Sequence, residues 1–274
     1  MDDDAIAPVI AVMLILTIGV TVFALYNSEY LPGLKQQAEM EHFREVESGF
    51  VKFSSDIDDA IARATPGITY SEQIPLGGGD ILLNSIRSSG YIRVQDDMVG
   101  TISIQGVLNG SSTHTTIPVS LVNYSYDPIG NFWQDQGYTW QKGYVNISKG
   151  SRTTPLQYDT AADQKLNDSV RELVQKLVVS DIKDSSPGNF TIRIITMKAG
   201  QPNMTSSNGI AKLIIRTKDE TAEYFGTGPC LVNNATFSVT EDPGNGIPFG
   251  SGLEAIPPAN NVTVQVIGIT VEVN

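Results

Sequence analysis

Cysteine is almost missing from this chain of 274 residues, and the one present, Cys230, excludes an intramolecular disulfide and any thiolate-rich metal centre. It lies in GTGPCLVNNATF, a turn leading into a strand pattern with no histidine nearby, and reads as a small structural residue. Histidine is as scarce: His42 and His114 are far apart in sequence and neither has ligand spacing around it. Basic residues number 18 against 30 acidic ones, a formal net charge of −12, so a phosphate backbone would be repelled and nucleic acid is not an expected partner. The triple glycine at 77–79 lacks the flanking strand and Lys-Ser/Thr of a phosphate-cradling loop. No serine elbow or metal motif appears, and the paired carboxylates Asp58/Asp59 and Asp96/Asp97 sit in helix-face and turn settings where solvation is their ordinary state. Neither catalysis nor a cofactor is expected.

What the chain has instead is one long apolar run. From Ala5 to Tyr26 there are 22 residues without a charge, and as a helix they extend about 33 Å, enough to cross a bilayer. Pro8 falls in the first turn, where its missing N–H costs nothing because the first donors of a helix have no partner within it. The run is too long for the apolar core of a signal peptide and no small-x-small cleavage site follows it, so a retained helix is expected.

Orientation is contradictory. No basic residue precedes the run, while Lys35 and Arg44 follow it, a bias that would leave the large C-terminal part in the cytoplasm. Yet Asn-x-Ser/Thr occurs at Asn109, Asn123, Asn146, Asn167, Asn189, Asn203, Asn234 and Asn261. With 16 Asn and 45 Ser plus Thr, chance gives 16 × 45/274, about 2.6. The excess points to an exterior, N-glycosylated domain, or else to a β-domain rich in Asn, Ser and Thr that generates sequons incidentally. Both observations are met if a basic leader once stood upstream of the acidic residues and set the orientation.

The segment DDDAIAPVIAVMLILTIGVTV resembles the N-terminal domain of archaeal type IV pilin-like proteins, whose pattern runs from a charged pair through A-V-S-P-V-I-G-V into an apolar helix. Pro8, Val9 and Ile10 keep the central Pro-Val-Ile, with Ala7 where serine is common and Ala11 where glycine is common. The resemblance implies that a class III signal peptidase cuts between Asp4 and Ala5, and that the helix assembles into a filament with copies of itself or with other pilins. It covers about 25 of the 274 residues.

After the span, Pro32 and Gly33 predict that the helix bends or stops. Phe43, Val46, Phe50, Phe53, Ile57, Ala60 and Ala64 then follow a 3.5-residue repeat, flanked by Glu41, Arg44, Glu45, Glu47, Lys52, Asp56, Asp58 and Asp59. That seam packs either on neighbouring subunits or on the chain's own head. Beyond Pro66 come short alternating runs such as YIRVQ, GTISIQGVL, FTIRIITMK, IAKLIIRT and NVTVQVIGITVEV, which predict an antiparallel sandwich or layered sheet. DTAADQKLNDSVRELVQKLVVSD, with Leu166, Val170, Leu173, Val174, Leu177 and Val178 on one face, predicts an amphipathic helix laid on it. The aromatics of NYSYDPIGNFWQDQGYTWQKGY, Trp133 and Trp140 among them, read as a stacking platform for a ligand or as a hairpin over the core.

The expected fold is α+β: a helical region at 1–65, with its span at 5–26 and kink near 32–33, and a β-rich exterior domain at 66–274. The expected function is a membrane-anchored surface protein assembling as a filament subunit through Pro8, Val9, Ile10, Phe43, Phe50 and Ile57. The rival is a monomeric anchored adhesin.

Overall fold

The computed structural model describes residues 6–78, 88–108, 111–131, 133–141, 143–156, 178–181, 189–225, 230–238 and 261–274. It begins with one helix: α1 (Ile6–Leu25) passes through a π-helical stretch, Tyr26–Tyr30, into α2 (Leu31–Arg63). Pro32 and Gly33 do not stop it. Leu31 N–H reaches back five residues to the carbonyl of Tyr26, so the perturbation lies just ahead of the proline, in the wider turn, and α2 runs on from its first residues. The helix ends where Ala64 turns left-handed (φ 43°), its N–H on the Ala60 carbonyl, with Pro66 and a left-handed Gly67 beyond.

Two sheets follow. One has the order β1 (Thr69–Pro75), β10 (Ile210–Asp219), β12 (Asn261–Val273), β8 (Asn189–Ala199), β7 (Val178–Asp181). The other runs β11 (Cys230–Ser238), β2 (Ser89–Leu108), β3 (Ser111–Ile129), β4 (Gln136–Gln141), β5 (Tyr144–Lys149), β6 (Arg152–Pro155), with β9 (Met204–Ser207) beside the start of β2. The β-rich α+β layout is therefore as the alternating runs predict, with three differences. YIRVQ and GTISIQGVL are one strand, bent through a register shift between Met98 and Gly100. The pairing is not wholly antiparallel, since β12 runs parallel to β8. Because β12 is parallel to β8 and antiparallel to β10, those two flanking strands oppose each other, and any strand inserted between them has to be parallel to one. Last, the expected amphipathic helix does not reach its predicted end, because Val178–Asp181 pairs with β8 as a strand; residues 157–177 lie outside the described set.

Side chains join the sheets where β8 has backbone groups turned away from β12. Asp96 Oδ1 accepts the Ala199 N–H at 2.5 Å, and Ser120 donates to the Met197 carbonyl at 2.7 Å, satisfying groups that an unpaired edge would leave open. The core fills with Ile194, Ile195, Met197, Leu213, Ile215, Val266, Ile267, Ile269 and Val271 from the first sheet, and with α2 against β1 of that sheet and β4 of the second.

Candidate membrane and assembly helix

α1 has no hydrophilic face. IAPVIAVMLILTIGVTVFAL carries no charge, and its twelve large apolar side chains from Val9 to Leu25 are 51–71% exposed. Nothing approaches Gly19, and Pro8 is exposed like its neighbours. The polar groups within the helix satisfy themselves: Thr17 donates to the Met13 carbonyl at 2.7 Å, Thr21 to the Thr17 carbonyl at 2.8 Å. At the end of the run Asn27 does the same to Phe23, and the Tyr26 and Tyr30 rings pair at 5.6 Å. An all-round apolar helix with internally satisfied hydroxyls and an aromatic pair at its polar end has the chemistry of a membrane span.

α2 differs because its apolar residues keep to one stripe. Phe43, Val46, Phe50, Phe53, Ile57, Ala60 and Ala64 are all buried, but against the chain's own head. Phe50 lies 5.1 Å from the Tyr124 ring and 5.9 Å from Tyr138, and Phe53 meets Tyr124 edge-on at 5.0 Å. Tyr138 donates to the Phe43 carbonyl at 3.2 Å, and Trp140 Nε1–H to Ser54 Oγ at 2.9 Å. Gly49 lets β1 come close, since a Cβ there would strike the Ile74 side chain. The expectation that Phe43, Phe50 and Ile57 meet other subunits is corrected: the head already occupies the seam, leaving Pro8, Val9 and Ile10 as the exposed members of that set.

Trp140 is likewise no ligand platform. It is fully buried and stacked on Tyr124 at 5.4 Å with the planes 10° apart, because it faces Tyr124 across the β3–β4 pairing. Trp133 is 59% exposed, on a connection fixed by its own N–H to Glu39 Oε2 at 2.8 Å. Burial raises the Tyr124, Tyr126 and Tyr138 phenols above their usual range, so all three serve as neutral donors or acceptors.

Clefts flank the exposed side of α2. One of about 430 Å³ runs beside β1, lined by Glu41, Arg44, Lys52, Glu72 and Ile210; another of about 210 Å³ lies toward the β4–β5 turn, lined by Val51, Ser55, Asp58 and Val145. Both are open troughs along the helix.

Asp4 and Ala5, and the sequons at Asn109 and Asn167, lie outside the described residues. Asn203 precedes β9, half-buried, in a connection whose backbone is held by Val94 and Val273. Asn146 sits in β5 opposite Thr139, and Asn234 in β11 opposite Gln105. Asn189 and Asn261 open β8 and β12 in direct register. Asn123 is in β3 opposite Gln95, its carboxamide oxygen solvent-excluded and without a partner.

Sequence had not shown that Lys35, Glu39 and His42 are buried. They continue the Phe43–Ala64 stripe toward α1 as polar residues, and a search for apolar repeats passes over them.

Comparison with protein-family models, with curated proteins and with solved structures finds no match to this chain.

Proposed function

We propose that the chain is a structural subunit of a surface filament of the archaeal type IV pilus kind, held in a membrane by α1 before assembly and built into the filament through that same helix. The observation that carries this reading is the division of one continuous helix: α2 is clamped to the head, while α1 offers apolar side chains on every side. Twelve large apolar side chains left in water forgo about 1.5–3 kcal/mol each, on the order of 20 kcal/mol or more in all. That figure rules against a free helix in solution and leaves two partners, lipid and other α1 helices. Passing from one to the other exchanges apolar surroundings for apolar surroundings, so assembly proceeds on packing rather than on a new hydrophobic gain. The Pro-Val-Ile at 8–10 favours a filament over a plain anchor. The head then stands at the cell surface, with sequons other than Asn123 offered to N-linked glycans.

An adhesin with a permanent anchor is the second reading, and the exposed Trp133 on its fixed connection is what favours it. Electron microscopy and immunoblotting of material sheared from producing cells separates the two. Filaments containing the chain support the subunit; release only by detergent, as single molecules, supports the anchored adhesin.

A further inference from the structure

The stripe by which α2 holds the head changes character along its length. From Phe43 to Ala64 it is apolar and buried; before Phe43 its buried members are Lys35, Glu39 and His42. Here polar side chains make the contact. Glu39 accepts the Trp133 N–H, and His42 Nε2 meets the Tyr126 hydroxyl at 2.9 Å. Tyr126 in turn reaches the Leu76 carbonyl at 3.4 Å, and the chain at Gly78 lies so close to the imidazole that a Cβ there would come within 2.9 Å of the ring. His42 therefore joins three pieces: α2, the segment after β1, and β3.

We infer that the first turns of α2, Leu31–His42, are a clasped hinge, which a polar clasp holds to the head and which acid releases, so that α1 can change its angle to the head while the Phe43–Ala64 core stays folded. Apolar burial does not depend on protonation, whereas seating the His42 ring, buried between α2, β3 and Gly78, does, because charging it there costs desolvation. Among the described residues, the ionisable groups on the elements packed around it are Lys35, Glu39 and, farther along, Glu47 on α2; Tyr126 with Asp127 beside it on β3; Tyr138 on β4; and Asp135 in the β3–β4 connection, while Leu76–Gly78 carries no ionisable side chain. Burial pushes the imidazole below its usual value, and the Glu39 carboxylate works against that shift without cancelling it. The clasped state thus holds neutral His42, and the open state binds the proton first as pH falls through about 6.5 and below. The hinge adjoins the π-helical turn Tyr26–Tyr30, where the helix departs from regular hydrogen bonding. Such a joint would let one head adopt one angle in the bilayer and another in an assembly.

Hydrogen exchange of the full chain in micelles, read by mass spectrometry near pH 7.5 and about pH 5 and corrected for intrinsic rates, tests this. The expected result is that residues 31–42 lose protection about tenfold or more in acid while 46–63 do not. His42→Gln abolishes that difference between the two pH values. Tyr126→Phe keeps the ring but removes the hydroxyl, and leaves 31–42 exchanging fast at both. The inference is overturned if 31–42 is as protected as 46–63 at both pH values, if the two segments open together, if His42→Gln keeps the acid response, or if Tyr126→Phe leaves protection unchanged.

Discussion

Phe50→Ala and Phe23→Ala remove the same side chain from the same continuous helix and should have opposite consequences. Phe50 is fully buried, with the Tyr124 and Tyr138 rings at 5.1 and 5.9 Å and the Tyr124 hydroxyl directed at its carbonyl. Truncation leaves a void between two tyrosines that the strands hold in place, so the loss falls at about 3–5 kcal/mol, the range for buried phenylalanines. With a urea slope of about 2 kcal/mol per molar, the midpoint of head unfolding drops by roughly 2 M. Phe23 is 64% exposed on α1, and its removal leaves that midpoint in place. The assay is urea unfolding of the full chain in micelles followed by Trp140 fluorescence, with Trp133→Phe as the common background. Trp140 is a local reporter because it stacks on the Tyr124 that Phe50 touches. A Phe50→Ala loss below about 1 kcal/mol, or an equal loss from Phe23→Ala, would refute the division of the helix into a head-packing half and a free half.

Other perturbations probe separate links. Ile15→Arg puts a charge at mid-span at a cost of about 3 kcal/mol to insertion, small beside the gain of the whole apolar run; membrane fractionation should show the chain still in the bilayer with head unfolding unchanged, and its loss from the membrane would contradict insertion driven by the whole run. Gly268→Ala drives a methyl into the carboxylate of Glu220, which is buried and paired with Lys198, and should cost about 1–3 kcal/mol in the same urea experiment. Asp59 accepts hydrogen bonds from Tyr70 at 2.5 Å and Arg63 at 2.7 Å, and these hold its carboxyl below the usual value. Its contribution is therefore present above the unfolded carboxylate value and lost as pH falls through the lower folded one. Tyr70→Phe should raise the Asp59 midpoint in a carboxyl NMR titration, and an unmoved midpoint would mean that the phenol does not hold it.

Periodicity made the long elements legible. A 22-residue uncharged run and a 3.5-residue seam could only be helical, and β2, β3, β8, β10 and β12 alternate clearly enough to read. The short strand TYSEQIP was hidden between Pro66 and the triple glycine, because only Ile74 of its seven residues is buried. Pro32 marked the neighbourhood of an irregular turn but not its form: the helix is not stopped, and the π-turn lies at Tyr26–Tyr30, which no sequence rule places. The aromatic cluster held two fates that look alike in sequence, with Trp140 across from Tyr124 and Trp133 beyond the strand end. The sequons carry a subtler lesson. Asn-x-Ser/Thr places its two polar residues at the strand repeat, and Asn123, Asn146, Asn189, Asn234 and Asn261 all fall in strands. Part of the excess therefore reflects polar positions repeating along β-strands, and Asn123, with its buried oxygen, is an unfavourable place for a sugar.

Disulfide trapping along α1 addresses the central claim most directly. Single cysteines are placed in turn from Val9 to Phe23 in a Cys230→Ser background and oxidised on intact producing cells, with Phe50→Cys as a buried control. Helices that bury one another's faces give covalent dimers whose yield rises and falls with a period of about 3.6 residues, and none at position 50. Uniformly absent dimers along α1, with the chain still in the membrane, would contradict assembly through this helix and leave it a solitary anchor.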